Sequence, residues 1–258
     1  MQYNAIVKNI KEITPEIKLF FVKFKDEHKL DFKAGQFAVL GLPDDKNNLD
    51  GEWHRRAYSI TSSPKEDEVE FYIVLVPDGR LTPRLFDLKI GDEIFMGERA
   101  AGVMNFDGVE DTSDLLFIST GTGIAPFVSI LRDHKDEILN GKRQVALIHG
   151  ARHTYELGFK GELEELEKLS PYFHYYPIVS RSEQEQGEQW KGYKGHAQSL
   201  VKDGTIEKDF GKKITPEGFH VFLCGNPRMV DETVEIFLQK GFTRHTLKEK
   251  GNLYFDKH

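Results

Sequence analysis

The chain has 258 residues, with 35 Lys and Arg against 42 Asp and Glu, a formal net charge of −7. That length is one large domain or two modest ones, and 39% hydrophobic with 12% aromatic residues supports a buried core, which excludes wholesale disorder. The acidic balance disfavours general nucleic-acid binding, and the single cysteine, Cys224, excludes an internal disulfide framework, a four-cysteine zinc site and a protein-held iron–sulfur cluster.

One thiol suits a reducing compartment, and the charged start MQYNAIVKNIKEITPEIK has no apolar core of the secretory kind. A cytoplasmic protein is expected. The longest uncharged run, Leu115 to Leu131, is short against the roughly 20 residues of a membrane span. Gly121, Gly123 and Pro126 interrupt it, which predicts a strand, a turn and a helix start instead.

In chain order, the first hundred residues carry strand signals. Ile17–Phe24, Gln36–Leu42 and Val69–Val76 combine alternation with aromatic and β-branched residues. Turn signals recur at Ala34-Gly35, Pro43-Asp44-Asp45, Ser63-Pro64, Pro77-Asp78-Gly79 and Gly91-Asp92. The pattern predicts a small antiparallel barrel, with one helix opening at Thr82 and Pro83 in its first position.

From Leu115 the period changes. Apolar strands at 115–119, 144–150, 173–180 and 219–225 alternate with helices near Ile124–Arg132, Tyr155–Leu169, His196–Lys202 and Pro227–Lys240. Such alternation predicts a parallel sheet covered on both faces, an α/β nucleotide-binding architecture. The acidic, glycine-containing stretch 105–113 is the natural linker.

Four segments carry candidate chemistry. In Arg56-Ala57-Tyr58-Ser59, strand alternation puts Arg56 and Tyr58 on one face: a fork of donors beside a flat ring. Val76 to Arg84 places a turn, with Arg80, Leu81 and Thr82, before the free amides of a helix start. Ser119-Thr-Gly-Thr-Gly-Ile-Ala-Pro126 sets glycines between a strand and a helix, where a backbone can approach a pyrophosphate. Leu223-Cys-Gly-Asn-Pro-Arg228 again runs a strand into glycine and a helix. Each segment alone also fits a plain strand, a capped surface helix or a buried cysteine.

Together and in this order, the segments resemble the bacterial-type ferredoxin/flavodoxin–NADP+ reductases. The resemblance runs from AGQF at 34–37 to GNLYF at 251–255. It implies a two-domain protein: an antiparallel β-barrel FAD domain at 1–107, then an α/β NADP(H) domain at 112–258 whose C-terminal tail returns to the flavin. It implies Arg56 on the pyrophosphate, Tyr58 against the flavin ring, and Ser59 near the flavin N5 edge, with Ala57 beside them. Tyr72, Ile73 and Val74 match the next flavin-lining strand, and Arg80, Leu81 and Thr82 match the phosphate turn. Gly121, Thr122 and Gly123 match the nicotinamide entry, and Cys224 with Gly225 lies close to the nicotinamide. Ser59 and Cys224 are thus the candidate catalytic pair, with no proton-donor role implied for Cys224.

Choice between coenzymes turns on the adenosine ribose, where a 2′-phosphate needs cations. Ala151-Arg152 follows the second strand of the nucleotide domain and Ser180-Arg181 the third. Both arginines match family positions that hold the 2′-phosphate, so NADP is expected. A third family arginine is replaced by His196 here, with Lys191 or Lys194 as candidate substitutes. The family's final aromatic is also missing, and His258 falls where a ring would stack.

The implied activity moves hydride between nicotinamide C4 and FAD N5, and single electrons to ferredoxin or flavodoxin. A monomer with an acidic carrier as partner, and neither nucleic acid nor membrane, is expected. The segment 240–258 has five basic and two acidic residues, a local positive surface on an acidic chain, and its rings at 254–258 are expected to act as a lid. A free flavin or quinone reductase, the reductase component of a multicomponent system, and a non-catalytic flavin-binding subunit remain open alternatives.

Overall fold

A computed structural model describes residues 2–26, 28–46, 48–110, 112–184 and 189–257. It divides into two units, Met1–Asn105 with Ala125–Asp133, and Phe106–Ile124 with His134–His258.

The first unit is built from strands whose alternate residues are apolar. These are β1 (Ala5–Thr14), β2 (Ile17–Phe24), β3 (Phe37–Pro43), β4 (Trp53–Ser59), β5 (Val69–Val74) and β6 (Glu93–Met96). All pair antiparallel in the order β4-β3-β6-β1-β2-β5. The two edges meet where Ile60 bridges Phe71, which closes the sheet. Phe20, Val22, Leu40, Ile60, Phe71, Ile73 and Met96 fill the interior, as the period of two requires.

The short helix α1 (Thr82–Phe86) differs from the sequence expectation. Thr82 is its first helical residue and Pro83 its second. The Thr82 hydroxyl accepts from Val76 N (2.9 Å) and donates to Val76 O (3.1 Å). It therefore clasps the turn 76–82, and is not available to cap the helix.

Helix α2 (Ala125–Asp133) lies far along the chain but packs with the barrel. Ser129 Oγ donates to Ser62 O (2.7 Å) and accepts from Gly35 N (3.3 Å). Gly35 has φ +92°, and a Cβ there would sit 1.7 Å from Met104 O, so no other residue fits. Below Ser129, Arg132 Nη1 donates to buried Glu70 (3.1 Å) and to Thr61 O (3.2 Å), while Thr61 Oγ1 donates to Glu70 (2.6 Å). Burial pushes the Glu70 carboxyl up, and the guanidinium and hydroxyl oppose that rise.

The second unit is a six-stranded sheet. Its elements are β7 (Asp114–Thr120), α3 (Lys135–Leu139), β8 (Val145–Ala151), α4 (Lys160–Leu169), β9 (Phe173–Val179), β10 (Tyr193–Lys194), α5 (Ser199–Lys202), α6 (Thr205–Phe210), β11 (Phe219–Gly225), α7 (Pro227–Gln239) and β12 (Leu253–Lys257). Every pairing is parallel, in the order β10-β9-β8-β7-β11-β12. Leu116, Ile118, Ile148, Val221 and Leu223 pack with Leu200, Ile206, Val230 and Phe237 on one face. The alternate residues Phe117, Leu147 and Phe222 are equally buried. Burial on both faces explains why these strands read as unbroken apolar runs.

Three expectations change. The helix expected over Tyr155–Leu169 is broken: a 3-10 turn covers Thr154–Glu156, and Phe159 adopts φ +61° before α4 begins. The stretch expected as one helix at His196–Lys202 starts only at Ser199, and left-handed Gly204 then lets α6 follow. The aromatic end is an edge strand, β12, laid parallel to β11.

Arg132→Met should leave the Glu70 carboxylate buried without its cation, at a cost of about 2–4 kcal/mol in urea denaturation. Because burial raises the folded-state pKa of Glu70, its protonated form is favoured by folding. The deficit should therefore be smallest below the ordinary value of 4.5 and grow as pH rises. A deficit independent of pH would exclude this account.

Candidate functional site

On the barrel, a groove of about 530 Å³ is lined by Val39, Glu52, Trp53, His54, Arg55, Arg56, Ala57 and Arg80. Strand β4 supplies most of it, because its middle residues Arg55, Arg56 and Ala57 are exposed. Arg56 and Tyr58 share a face, pairing opposite Leu40 and Ala38. Tyr58 is half-buried against the barrel core, and burial pushes its hydroxyl up to about 12. Ser59 ends the strand, opposite Phe37.

Strand β5 buries Tyr72 and Ile73 and leaves Val74 exposed. Ile73 and Leu81 belong to the barrel core, so what they can offer a ligand is backbone. Arg80 projects into the groove beside Glu52, with its Nη1 3.2 Å from the Glu52 carboxylate. Three arginines against one glutamate make a donor set suited to a phosphorylated ligand. Sequence reasoning missed Glu52, His54 and Arg55; the run Glu52-Trp-His-Arg-Arg56 was the available signal.

In the second unit, strand order reverses between β7 and β11, and open sheets bind ligands at the carboxyl ends beside such a reversal. Gly121–Ile124, a 3-10 turn, leaves β7 there. Gly121 takes φ +56° with open space where a Cβ would point. A Cβ on Gly123 would lie 2.2 Å from Cys224 O, and one on Gly225 (φ +131°) would lie 2.4 Å from Thr120 Oγ1. Thr120 Oγ1 also accepts from Asn226 N (2.9 Å), and the Asn226 side chain caps α7 at Arg228 N and Met229 N. Gly121, Thr122, Gly123, Cys224 and Gly225 are thus brought together as a backbone cradle fit for a dinucleotide.

Cys224 is fully buried; burial and nearby Asp256 hold its thiol well above its ordinary range. It shares a register row with Ser119 and His149. His149 is buried against the Tyr175 hydroxyl (3.0 Å), and burial lowers its pKa to about 3.

The expected arginines also come together. Parallel pairing continues past β8 and β9, with Ser180 N donating to Ala151 O (3.0 Å) and Arg181 N to Arg152 O (2.9 Å). Arg152 is held by Glu156 (2.8 Å), whose other oxygen accepts from Arg152 N (2.9 Å) and His153 N (3.3 Å). The i,i+4 spacing was the signal for that pair. Among the described residues nothing pairs with the Arg181 side chain. Strand β10 ends at exposed Lys194, with exposed His196 after it and exposed Lys191 before it.

For Tyr254 alone the structure corrects the lid expectation. Tyr254 is fully buried, stacked on Phe222 (4.2 Å) and His245 (4.2 Å). It is a core ring and cannot lift away. Phe255 is half-buried with Arg244 over it, and Lys257 pairs with Gly225. His258 lies outside the described residues.

Comparison with known proteins defines the class first. Residues 4–98 match the oxidoreductase FAD-binding domain and residues 117–235 the oxidoreductase NAD-binding domain. A flavodoxin/ferredoxin–NADP reductase of Shigella flexneri is 40% identical over 205 residues, 79% of this chain and 78% of that protein. A ferredoxin–NADP reductase of Pseudomonas aeruginosa is 34% identical over 224 residues, 83% of this chain and 81% of that one. A solved ferredoxin NADP+ reductase from Neisseria gonorrhoeae, with bound FAD and NADP, superposes at TM-score 0.83 with 30% identity, covering 98% and 97% of the two chains. The chain belongs to the flavodoxin/ferredoxin–NADP reductase family.

Gly123→Ala tests the cradle. The methyl has no space against the Cys224 carbonyl, so NADP+ affinity should fall at least roughly tenfold while FAD content is unchanged. Unaltered NADP+ titration curves would place the coenzyme elsewhere.

Proposed function

We propose that this chain passes electrons between NADP(H) and a one-electron carrier, ferredoxin or flavodoxin, by way of FAD. The observation that carries the reading is one chain holding both a cationic barrel groove and a glycine-built crevice with arginines on the adjoining strands. Bound together, nicotinamide and flavin supply hydride exchange at C4 and N5, and the flavin supplies single-electron exchange with the carrier.

The protein's part is alignment and charge. We assign Arg56 and Arg80 to the pyrophosphate, Tyr58 to the flavin ring, and Ser59 and Cys224 to the reacting edges. Hydride carries its own electrons and needs no acid or base, which agrees with a Cys224 thiol held neutral by burial. Arg152 and Arg181 are assigned to the 2′-phosphate, with Lys191, Lys194 and His196 at its rim.

The first experiment is spectroscopic. Purified protein should be yellow, release FAD and not FMN on denaturation, and bleach within seconds under anaerobic NADPH. Colour that persists under NADPH would leave only a flavin-binding subunit. Replacing Arg152 and Arg181 together by Ala removes charge-assisted bonds worth about 1.5–3 kcal/mol each. The Michaelis constant for NADPH should rise at least roughly tenfold and that for NADH hardly move. Equal losses with both would mean the arginines shape the fold.

The carrier is assigned to the basic segment at the C-terminus, where Lys248 and Lys250 are exposed. Ferredoxins and flavodoxins are acidic, so a local positive surface steers them to an acidic enzyme. Lys248→Glu with Lys250→Glu should slow carrier reduction, most at low salt, and leave ferricyanide reduction by NADPH unchanged. Insensitivity of carrier kinetics to both changes would move docking elsewhere. The single thiol supports a cytoplasmic setting, and gel filtration tests the assignment as a monomer.

A further inference from the structure

The barrel groove carries a carboxylate where an anion is meant to bind. Five side chains form a line around it. Arg84 Nη2 reaches Asp44 (2.6 Å), His54 Nε2 lies at hydrogen-bond distance from Asp44 (3.0 Å), His54 Nδ1 faces Glu52 (3.7 Å), and Glu52 meets Arg80 Nη1 (3.2 Å). Most of this line is fixed. Asp44 N donates to Glu52 O (2.8 Å), closing the loop between β3 and β4 at its neck. His54 is buried, and Arg84 also donates to the Arg80 carbonyl, which secures the backbone of the phosphate turn.

The two ends of the line are not alike. Asp44 has two close partners, and the His54 bond followed by Arg84 holds its carboxyl below the ordinary range. Glu52 has one close partner, Arg80, and their side chains are 65% and 69% exposed. An exposed pair of this kind is weak, whereas a phosphate offers the same guanidinium two or more charge-assisted bonds. Glu52 also contributes the groove's only carboxylate among its lining residues, against Arg55, Arg56 and Arg80.

We propose that Glu52 is an exchangeable counter-ion of Arg80, which keeps the guanidinium over the groove and yields it to the FAD pyrophosphate on binding. This rests on the assignment of Arg80 to the pyrophosphate. Exchange means that flavin affinity is set by a difference: the phosphate bond that forms, less the carboxylate bond that breaks and the repulsion of a carboxylate left nearby. Glu52 therefore loosens FAD. A carboxylate that only positioned Arg80 would tighten it.

The test is equilibrium release of FAD on serial dilution of the holoenzymes, read by regained flavin fluorescence at low and high salt. Glu52→Gln keeps the shape and an acceptor for Arg80 but removes the charge. It should hold FAD roughly threefold to tenfold more tightly at low salt, with the gap closing at high salt. Glu52→Ala, which removes the acceptor too, should also tighten FAD. Unchanged or weaker binding in either variant, or a gap that ignores salt, overturns the exchange. A wild-type protein without FAD would instead overturn the functional reading on which it rests.

Discussion

The nucleotide crevice depends on two backbones that touch. At the carboxyl ends of β7 and β11 the chain passes so close to itself that a methyl group on Gly123 would meet the Cys224 carbonyl oxygen at 2.2 Å. On the other side, Gly225 leaves no room for one against Thr120. Once the two loops are in contact, Thr120 Oγ1 is in reach of Asn226 N, and Asn226 is set to cap α7. The turn after β7, the start of α7 and the opening between them thus follow from the absence of two side chains. Glycine here serves close approach first; the left-handed φ of Gly225 is a second, independent reason.

Charge is handled by the same device in both units. One arginine in each unit is held by a glutamate: Arg152 by Glu156 and Arg80 by Glu52. The two glutamates differ in what else holds them. Glu156 is 14% exposed and accepts from two backbone amides, so it stays as a fixed support for the strand end. Glu52 is 65% exposed and has no such anchor. One pair orients a cation and the other occupies it. A chain with net charge −7 can therefore still present local clusters of cations, because the balance that matters is local.

What the sequence shows and hides follows from the range of each interaction. Strands β2, β3 and β5 of the barrel and β7, β8, β9 and β11 of the parallel sheet were legible because alternation, or unbroken burial, repeats within a few residues, whereas β1, β6 and β10 were not. The glycine cradle was legible as strand–turn–helix punctuation, and Arg152 and Arg181 as residues just past strand ends. By contrast β12 pairs with a strand some thirty residues away, and on an edge its five residues carry little pattern. Its Tyr254 looked like a free aromatic end; only the stack on Phe222 and His245 makes it core. Helix α2 read as part of the nucleotide domain by position, and no local signal told that Ser129 and Arg132 bond to the barrel. The break at Phe159 was hidden because Glu156, four residues past Arg152, turns back to the strand end and leaves the helix.

The floor of the crevice holds two titratable groups kept neutral, chiefly by burial. Cys224, Ser119 and His149 stand in one row across three strands, all wholly enclosed. Burial disfavours the charged form of every group, so it raises the thiol and lowers the imidazole. His149, with a pKa near 3, and Cys224, held well above its ordinary range, are both neutral across the physiological span. The charged side chains at this end of the sheet are Asp256, opposite Cys224 in register, and the exposed Arg152, Arg181 and Lys194. A hydride exchange gains from that division. Neither His149 nor Cys224 changes charge near neutral pH, and the arginines proposed to bind the coenzyme follow β8 and β9, two and three strands from β11 at about 5 Å per strand. Affinity for the coenzyme and the electronics of the transfer can then be set by different residues.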